Sequence, residues 1–102
     1  MSEATSPLED IDPIVRGLLP GYLKRREEEL VRLTALLENK DFADIRVLGH
    51  NLSGSGGAYG LPQLTDFGRR IESAARDKDE QALRREFAQL GDFLQIIREK
   101  VA

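Results

Sequence analysis

The sequence predicts an all-α protein that folds as an antiparallel four-helix bundle with a short additional helix at its N-terminus. Two observations support this fold class. Apolar residues recur at intervals of three and four along most of the chain, and no segment shows the two-residue alternation of a strand. Short polar turns separate the periodic segments, and short connections favour antiparallel neighbours in a helical bundle.

The chain divides into a tail and one domain. Residues 1–10 are polar and lack a helical period, which predicts a disordered N-terminal tail. Residues 11–102 are expected to form a single helical bundle domain. The full length of 102 residues allows a core that buries roughly 65% of the surface of the unfolded chain.

A short first helix is predicted directly after the tail. Asp12 can cap it, and Pro13 suits the first helical position. Pro20 and Gly21 are expected to break or kink this helix, because proline lacks the amide hydrogen that helix continuation needs. A long helix then continues to about Glu38, with leucines repeating along one face.

Three further helices complete the predicted bundle. Asp41 can cap a helix over residues 42–59, which contains the only histidine of the chain. Gly60 is a suitable stop for this helix, and Pro62 suits the first turn of the next one. The last helix carries apolar residues at alternating steps of four and three, namely Leu83, Phe87, Leu90, Leu94, Ile97 and Val101.

Composition limits the classes of function. The net charge of −3 argues against nucleic acid as the main partner, because such proteins usually present a basic face. No stretch approaches the ~20 apolar residues that span a bilayer, and the N-terminus lacks the apolar core of a secretory signal. The chain has no cysteine, which excludes disulfides and thiolate chemistry. We expect a cytoplasmic monomer that binds neither nucleic acid nor membranes.

The histidine, His50, lies in a segment that has a helical period and several glycines. Each glycine inside a helix costs up to ~1 kcal/mol relative to alanine, so Gly54, Gly56 and Gly57 indicate that this helix needs bare surface. On a helical wheel the apolar stripe lies roughly opposite His50. An exposed imidazole is therefore predicted, surrounded on its own face by Arg46, Val47, Ser53, Gly54 and Gly57.

Other interpretations of this segment are weaker. A flexible Ser-Gly linker conflicts with the apolar period, which continues through the glycines. A phosphate-binding loop would need a preceding strand and a lysine. A contact between Ser53 and His50 lacks an orienting acid and an oxyanion hole, so hydrolysis is not expected. One histidine without cysteine also excludes a histidine-rich metal centre, and no metal or cofactor is expected in this chain.

The segment between His50 and Glu72 resembles the histidine phosphotransfer (HPt) domains of two-component phosphorelays. Their signature is a histidine, Lys-Gly three and four positions later, a glycine near the tenth position, and a leucine, a small residue and a glutamate on the next helix. The matching residues are His50, Gly54, Gly60, Leu64, Gly68, Ile71 and Glu72. The resemblance covers about residues 12–102, and it is specific within residues 50–72.

This resemblance implies a function and a set of site residues. His50 would accept a phosphoryl group from a receiver-domain aspartate, or from a kinase, and pass it to a response regulator. The expected partner is the receiver domain of a response regulator or a hybrid sensor kinase, with Mg²⁺ bound in that partner. No autonomous kinase or hydrolase activity is expected. The phosphate and the partner would contact Arg46, Val47, Ser53, Gly54 and Gly57, with structural support from Gly60, Leu64, Gly68 and Glu72.

One position departs from the family pattern. Ser53 stands where the family usually has a lysine, which is thought to place a positive charge near the phosphoryl group. Arg46, Arg69 or Arg70 could supply that charge instead. The departure also leaves an alternative open, in which the protein is a helical adaptor that binds a receiver domain or another signalling partner without being phosphorylated.

Overall fold

A computed structural model describes residues 11–101, and in this range the chain forms helices and no strand. The prediction of an all-α helical bundle is confirmed. The predicted tail, residues 1–10, lies outside the described range. The elements are four α-helices and one turn of 3-10 helix: α1 (Pro13–Glu38), α2 (Phe42–Gly56), the 3-10 turn (Gly57–Tyr59), α3 (Pro62–Arg76) and α4 (Glu80–Val101).

The prediction of a separate short N-terminal helix is wrong, because α1 runs without interruption and contains Pro20. A proline inside a helix removes one backbone hydrogen bond and crowds the preceding turn. Packing outweighs that local cost here, since Leu19 lies just before Pro20, Tyr22 and Leu23 lie just after it, and all three are buried. Tertiary contacts thus hold the helix together on both sides of the proline.

Acidic side chains cap three of the helices, including α4, where the carboxylate of Asp79 accepts a hydrogen bond from the backbone N–H of Ala82 at 3.1 Å. The carboxylate of Asp12 accepts a hydrogen bond from the backbone N–H of Ile14 at 2.8 Å, and Pro13 occupies the first turn. The carboxylate of Asp41 accepts one from the backbone N–H of Asp44 at 3.3 Å. Each cap satisfies a backbone donor that the first turn of a helix leaves without a partner.

The histidine helix ends at Gly56 rather than at Tyr59, and a turn of 3-10 helix follows. The reversal comes at Gly60, whose φ of 72° lies in the left-handed region that favours glycine. A Cβ atom at Gly60 would also lie only 2.8 Å from the side chain of Ile11. The backbone N–H of Leu61 donates to the carbonyl of Gly56 at 2.9 Å, which closes the turn into α3.

Contacts between helices show that neighbours are antiparallel. Glu27, in the middle of α1, forms an ion pair with Arg98 near the C-terminal end of α4, and Lys40, in the turn after α1, pairs with Glu80 at the first position of α4. The side chains between them form one apolar core to which every α-helix contributes. Its most deeply buried members include Leu19, Leu23, Ile45, Leu61, Leu64, Ile71, Leu83 and Ile97.

Helices α2 and α3 approach each other closely at three glycines. A Cβ atom at Gly68 would lie 2.6 Å from the carbonyl oxygen of Gly49 and 2.7 Å from the Cα atom of Ser53. A Cβ atom at Gly56 would lie 2.8 Å from the backbone nitrogen of Thr65. Gly68 therefore lets the backbones of α2 and α3 approach each other closely. Gly56 is buried against α3 rather than part of a bare surface, which corrects its predicted role.

Candidate functional site

His50 lies in the middle of α2, and its side chain is 72% exposed. The opposite side of the helix faces the core through Ile45, Gly49 and Leu52, all of which are buried. The 3.6-residue period of the helix accounts for this difference, because these three residues cluster on the face away from His50. The imidazole thus lies on the outer surface of the bundle.

A carboxylate from the next helix lies beside the imidazole. Oε2 of Glu72, on α3, is 3.4 Å from Nδ1 of His50, and the Glu72 side chain is 25% exposed. The separation is slightly longer than an ideal hydrogen bond. Gly49 makes this approach possible, since a Cβ atom there would lie 2.9 Å from the backbone nitrogen of Glu72.

An open depression adjoins the imidazole on the side toward the N-terminus of α2. Side chains on a helix lean toward its N-terminus, so His50 leans over the preceding turn. Val47 on that turn is 57% exposed. The depression combines one cation, one carboxylate, the imidazole and two apolar side chains: Arg46, Glu72, His50, Val47 and Ala43.

The surface beyond His50, toward the C-terminus of α2, is nearly flat. A Cβ atom at Gly54 would meet no atom within 4 Å, and one at Gly57 would reach only Oγ1 of Thr65, at 4.0 Å. Ser53 is half-buried, and its backbone carbonyl accepts a hydrogen bond from Oγ1 of Thr65 at 3.1 Å. The small residues therefore leave open space next to His50.

The three candidate arginines occupy different places. Arg46 lines the depression together with His50. Arg70 faces α4, where its Nε donates to Oε1 of Glu86 at 2.9 Å and its guanidinium lies 4.8 Å from the centre of the Phe67 ring. Arg69 is exposed on α3 and does not line the depression. Only Arg46 shares the depression with the imidazole.

The remaining predicted support residues have structural positions. Leu64 is fully buried in the core, and Gly60 makes the left-handed turn that ends the 3-10 segment. Gly68 provides the backbone contact between α2 and α3. These residues fix the position of α2, and therefore of His50, without contacting the imidazole.

A polar cluster between α1 and α2 was not predicted. The hydroxyl groups of Tyr22 and Ser55 are 2.8 Å apart, and Nη1 of Arg26 donates to Oγ of Ser55 at 3.3 Å. The rings of Tyr22 and Tyr59 stack with centroids 3.9 Å apart. The cluster fastens the C-terminal half of α2 to α1. Its members are far apart in sequence, so no local pattern could have joined them.

The described residues also show what the fold lacks in this range. Residues 11–101 contain no group of three or more histidine, aspartate or glutamate side chains arranged to hold a metal ion. None of the helices between Pro13 and Val101 is long and apolar enough to cross a membrane.

Comparison with known proteins identifies the family. The family model described as the Hpt domain matches residues 18–100, so the chain belongs to the Hpt domain family. Members of this family carry phosphoryl groups on histidine in phosphorelays and generally interact with receiver domains. Comparisons with curated proteins and with solved structures gave no match.

Proposed function

We propose that this protein is a phosphorelay intermediate that carries a phosphoryl group on Nε2 of His50. It would accept the group from an aspartyl phosphate of one receiver domain and pass it to the aspartate of a response regulator. The observation that carries this proposal is an exposed histidine, in a chain of the Hpt family, whose Nδ1 faces the carboxylate of Glu72.

The position of Glu72 favours one form of the imidazole. A hydrogen on Nδ1 can point toward the Glu72 carboxylate, 3.4 Å away. In that neutral tautomer Nε2 carries the lone pair, and this makes Nε2 the nucleophile. Because Glu72 contacts Nδ1 and the His50 side chain is 72% exposed, a reacting group can approach Nε2 from solvent.

The transfer step exchanges one bond to phosphorus for another. The lone pair of His50 Nε2 attacks phosphorus, a nitrogen–phosphorus bond forms, and the bond between phosphorus and the aspartate oxygen breaks. The aspartate leaves as a carboxylate. The ring retains its hydrogen on Nδ1 and becomes positively charged, and the carboxylate of Glu72 is placed to stabilise that charge. The reverse step delivers the phosphoryl group to the next aspartate.

The rest of the machinery must come from the partner. Phosphoryl transfer depends mainly on in-line positioning and on stabilisation of charge. His50 is 72% exposed and borders an open depression, so this chain alone does not enclose a phosphoryl donor. In this proposal the protein acts as a monomer, and the receiver domain supplies the aspartate and its Mg²⁺. The surface offered to it includes Val47 and Gly54, on either side of His50.

The test is phosphoryl transfer from a phosphorylated receiver domain, in the presence of Mg²⁺, to the parent protein and to His50→Gln. We expect acid-labile label on the parent and none on the variant. Because His50 is exposed, the thermal unfolding temperature should be the same for both proteins. Label that persists on His50→Gln would place the phosphoryl group elsewhere and contradict the proposal.

The second candidate function is a helical adaptor that binds a receiver domain without phosphorylation. Ser53 favours it, because its hydroxyl brings no positive charge to the neighbourhood of His50. The same experiment separates the two functions if binding is measured alongside transfer. Measurable binding of both proteins, with no label on either from any receiver, would support the adaptor.

A further inference from the structure

We infer that Arg46 binds the phosphoryl group on His50 and supplies the positive charge that Ser53 does not. This inference rests on the proposed phosphotransfer function. It assigns a specific contact to the depression beside the imidazole, which is lined by Arg46, His50 and Glu72 together with two apolar side chains.

The register of α2 brings the two side chains together. Arg46 precedes His50 by four residues, a spacing that places the Cβ atoms of a helix about 5–6 Å apart on one face. The imidazole leans toward the N-terminus of α2, over the turn that contains Arg46. A guanidinium on a long, flexible side chain can therefore reach a group attached to the ring.

Arg46 is also available for this contact. It forms no ion pair with any residue between 11 and 101, whereas Arg70 is paired with Glu86. Arg26 is held at the seam between α1 and α2 by Ser55 and Glu29. Among the cations of the described chain, Arg46 is the one whose side chain lines the depression at His50.

The charges in the depression favour one orientation of the phosphoryl group. Its oxygens carry negative charge and are repelled by the carboxylate of Glu72, which faces Nδ1. A guanidinium offers paired N–H donors that match the spacing of phosphate oxygens. Arg46 would therefore hold the phosphoryl group on the side of the ring away from Glu72, where Nε2 lies.

The experiment uses single and double variants of the whole protein. Arg46→Ala removes the proposed contact, Arg46→Lys keeps a charge without the paired donors, and Arg69→Ala removes one charge from the neighbouring surface. Arg46→Ala combined with Ser53→Lys returns a charge one turn beyond His50. Two quantities are measured: the transfer rate from a phosphorylated receiver domain, and the lifetime of the phosphohistidine after the receiver is removed.

We expect Arg46→Ala to slow transfer roughly tenfold or more, as for the loss of a charge-assisted hydrogen bond, and to change the phosphohistidine lifetime. Arg46→Lys should recover part of the rate, and Ser53→Lys should recover part of it in the double variant. Arg69→Ala should stay within about twofold of the parent, because screening weakens a distant surface charge.

The outcomes separate this inference from the proposed function. If the parent protein is never phosphorylated, both the proposed function and this inference are contradicted. A labelled parent whose rate and lifetime are unchanged in Arg46→Ala would overturn the inference alone. Slower transfer to Arg69→Ala would indicate that a cation on α3, rather than Arg46, supplies the charge. A slower Arg46→Ala with an unchanged lifetime and no rescue by Ser53→Lys would make Arg46 a receiver-docking residue, which also contradicts the inference.

Discussion

Oε2 of Glu72 on α3 lies 3.4 Å from Nδ1 of His50 on α2. The contact joins the exposed histidine to a half-buried carboxylate on a different helix. It can fix the tautomer of the ring and offset the positive charge that phosphorylation places on it. The Glu72 carboxylate therefore contacts the imidazole and not solvent alone.

Glu72→Gln should slow phosphoryl transfer roughly tenfold, because it removes a unit charge close to the ring while keeping an oxygen that can accept from Nδ1. The measurement is the transfer rate from a phosphorylated receiver domain. Glu28→Gln is the matched control, since Glu28 is an exposed glutamate on α1. Equal rates for Glu72→Gln and the parent would remove any role for the carboxylate charge.

Gly68→Ala should destabilise the protein by about 2 kcal/mol or more, because the new methyl group would collide with the backbone of α2. Its Cβ atom would lie 2.6 Å from the carbonyl oxygen of Gly49. Gly54→Ala is the control, since a Cβ atom there meets nothing within 4 Å. That control should stabilise the helix by about 0.5–1 kcal/mol. The free energy of unfolding of both variants is measured by urea titration. A loss of stability in Gly54→Ala would contradict the prediction that, of these two glycines, only Gly68 is restricted by a neighbouring helix.

Gly54→Leu should leave the fold intact and slow phosphoryl transfer by blocking the approach of the receiver domain. The position has open space around it and follows His50 by one turn. Gly17→Leu is a matched control, because Gly17 is an exposed glycine of α1 that also has no atom within 4 Å of its Cβ position. Transfer to the control should proceed at the parent rate. Unimpaired transfer to Gly54→Leu would exclude this part of α2 from the docking surface.

Pro20→Ala should stabilise the protein by roughly 1–2 kcal/mol. An alanine restores the missing hydrogen bond inside α1, although the unfolded chain also gains freedom, which offsets part of the benefit. Pro20 is exposed, so no core contact is lost. The measurement is the free energy of unfolding of the variant and the parent, from urea titration. A less stable variant would mean that the stability of α1 depends on the proline.

Acid should remove the contribution of Glu27 to stability. Hydrogen bonds from Arg98, at 2.7 Å and 2.5 Å, lower the pKa of Glu27 below its ordinary value. The stabilisation is therefore fully present above the ordinary glutamate pKa and is lost as the pH falls through the lowered value in the folded state. We expect the free energy of unfolding of Glu27→Gln to fall less than that of the parent between about pH 6 and about pH 3.

Glu29 provides a control of opposite sign for this titration. Burial raises the pKa of Glu29, even though Arg26 lies nearby and acts against the shift. Its protonation therefore adds stability as the pH falls through that raised value toward the ordinary one. Glu29→Gln should steepen the loss of stability in acid, and a flatter curve would contradict the assigned direction.

The sequence was sufficient to predict the helices and most of their ends. Local backbone signals stand at the expected starts of three helices, namely Asp12, Asp41 and Pro62. Gly60 ends the 3-10 turn that follows α2 rather than α2 itself. Pro20 led to the wrong prediction of a helix break. The tendency of proline to interrupt a helix is opposed here by buried neighbours on both sides, which only the tertiary structure reveals.

The candidate site was predictable only in part. The exposure of His50 followed from the helical period, and Glu72 stood out through the family pattern. Gly49 was missed, because its importance comes from the backbone of α3 across the interface. The cluster of Tyr22 and Ser55 was missed for the same reason, since its two hydroxyl groups meet across 33 residues of sequence. A pattern within one segment of sequence cannot show which residues of distant segments are in contact.

The glycines of α2 also bear on the order of folding. Gly49, Gly54 and Gly56 all lie within the 15 residues of this helix, so an isolated α2 peptide would be mostly unstructured in water. α2 therefore gains its stability only as it docks on α3, and the two helices should form as one cooperative unit. The nascent chain would then display no ordered histidine surface until the hairpin of α2 and α3 has closed.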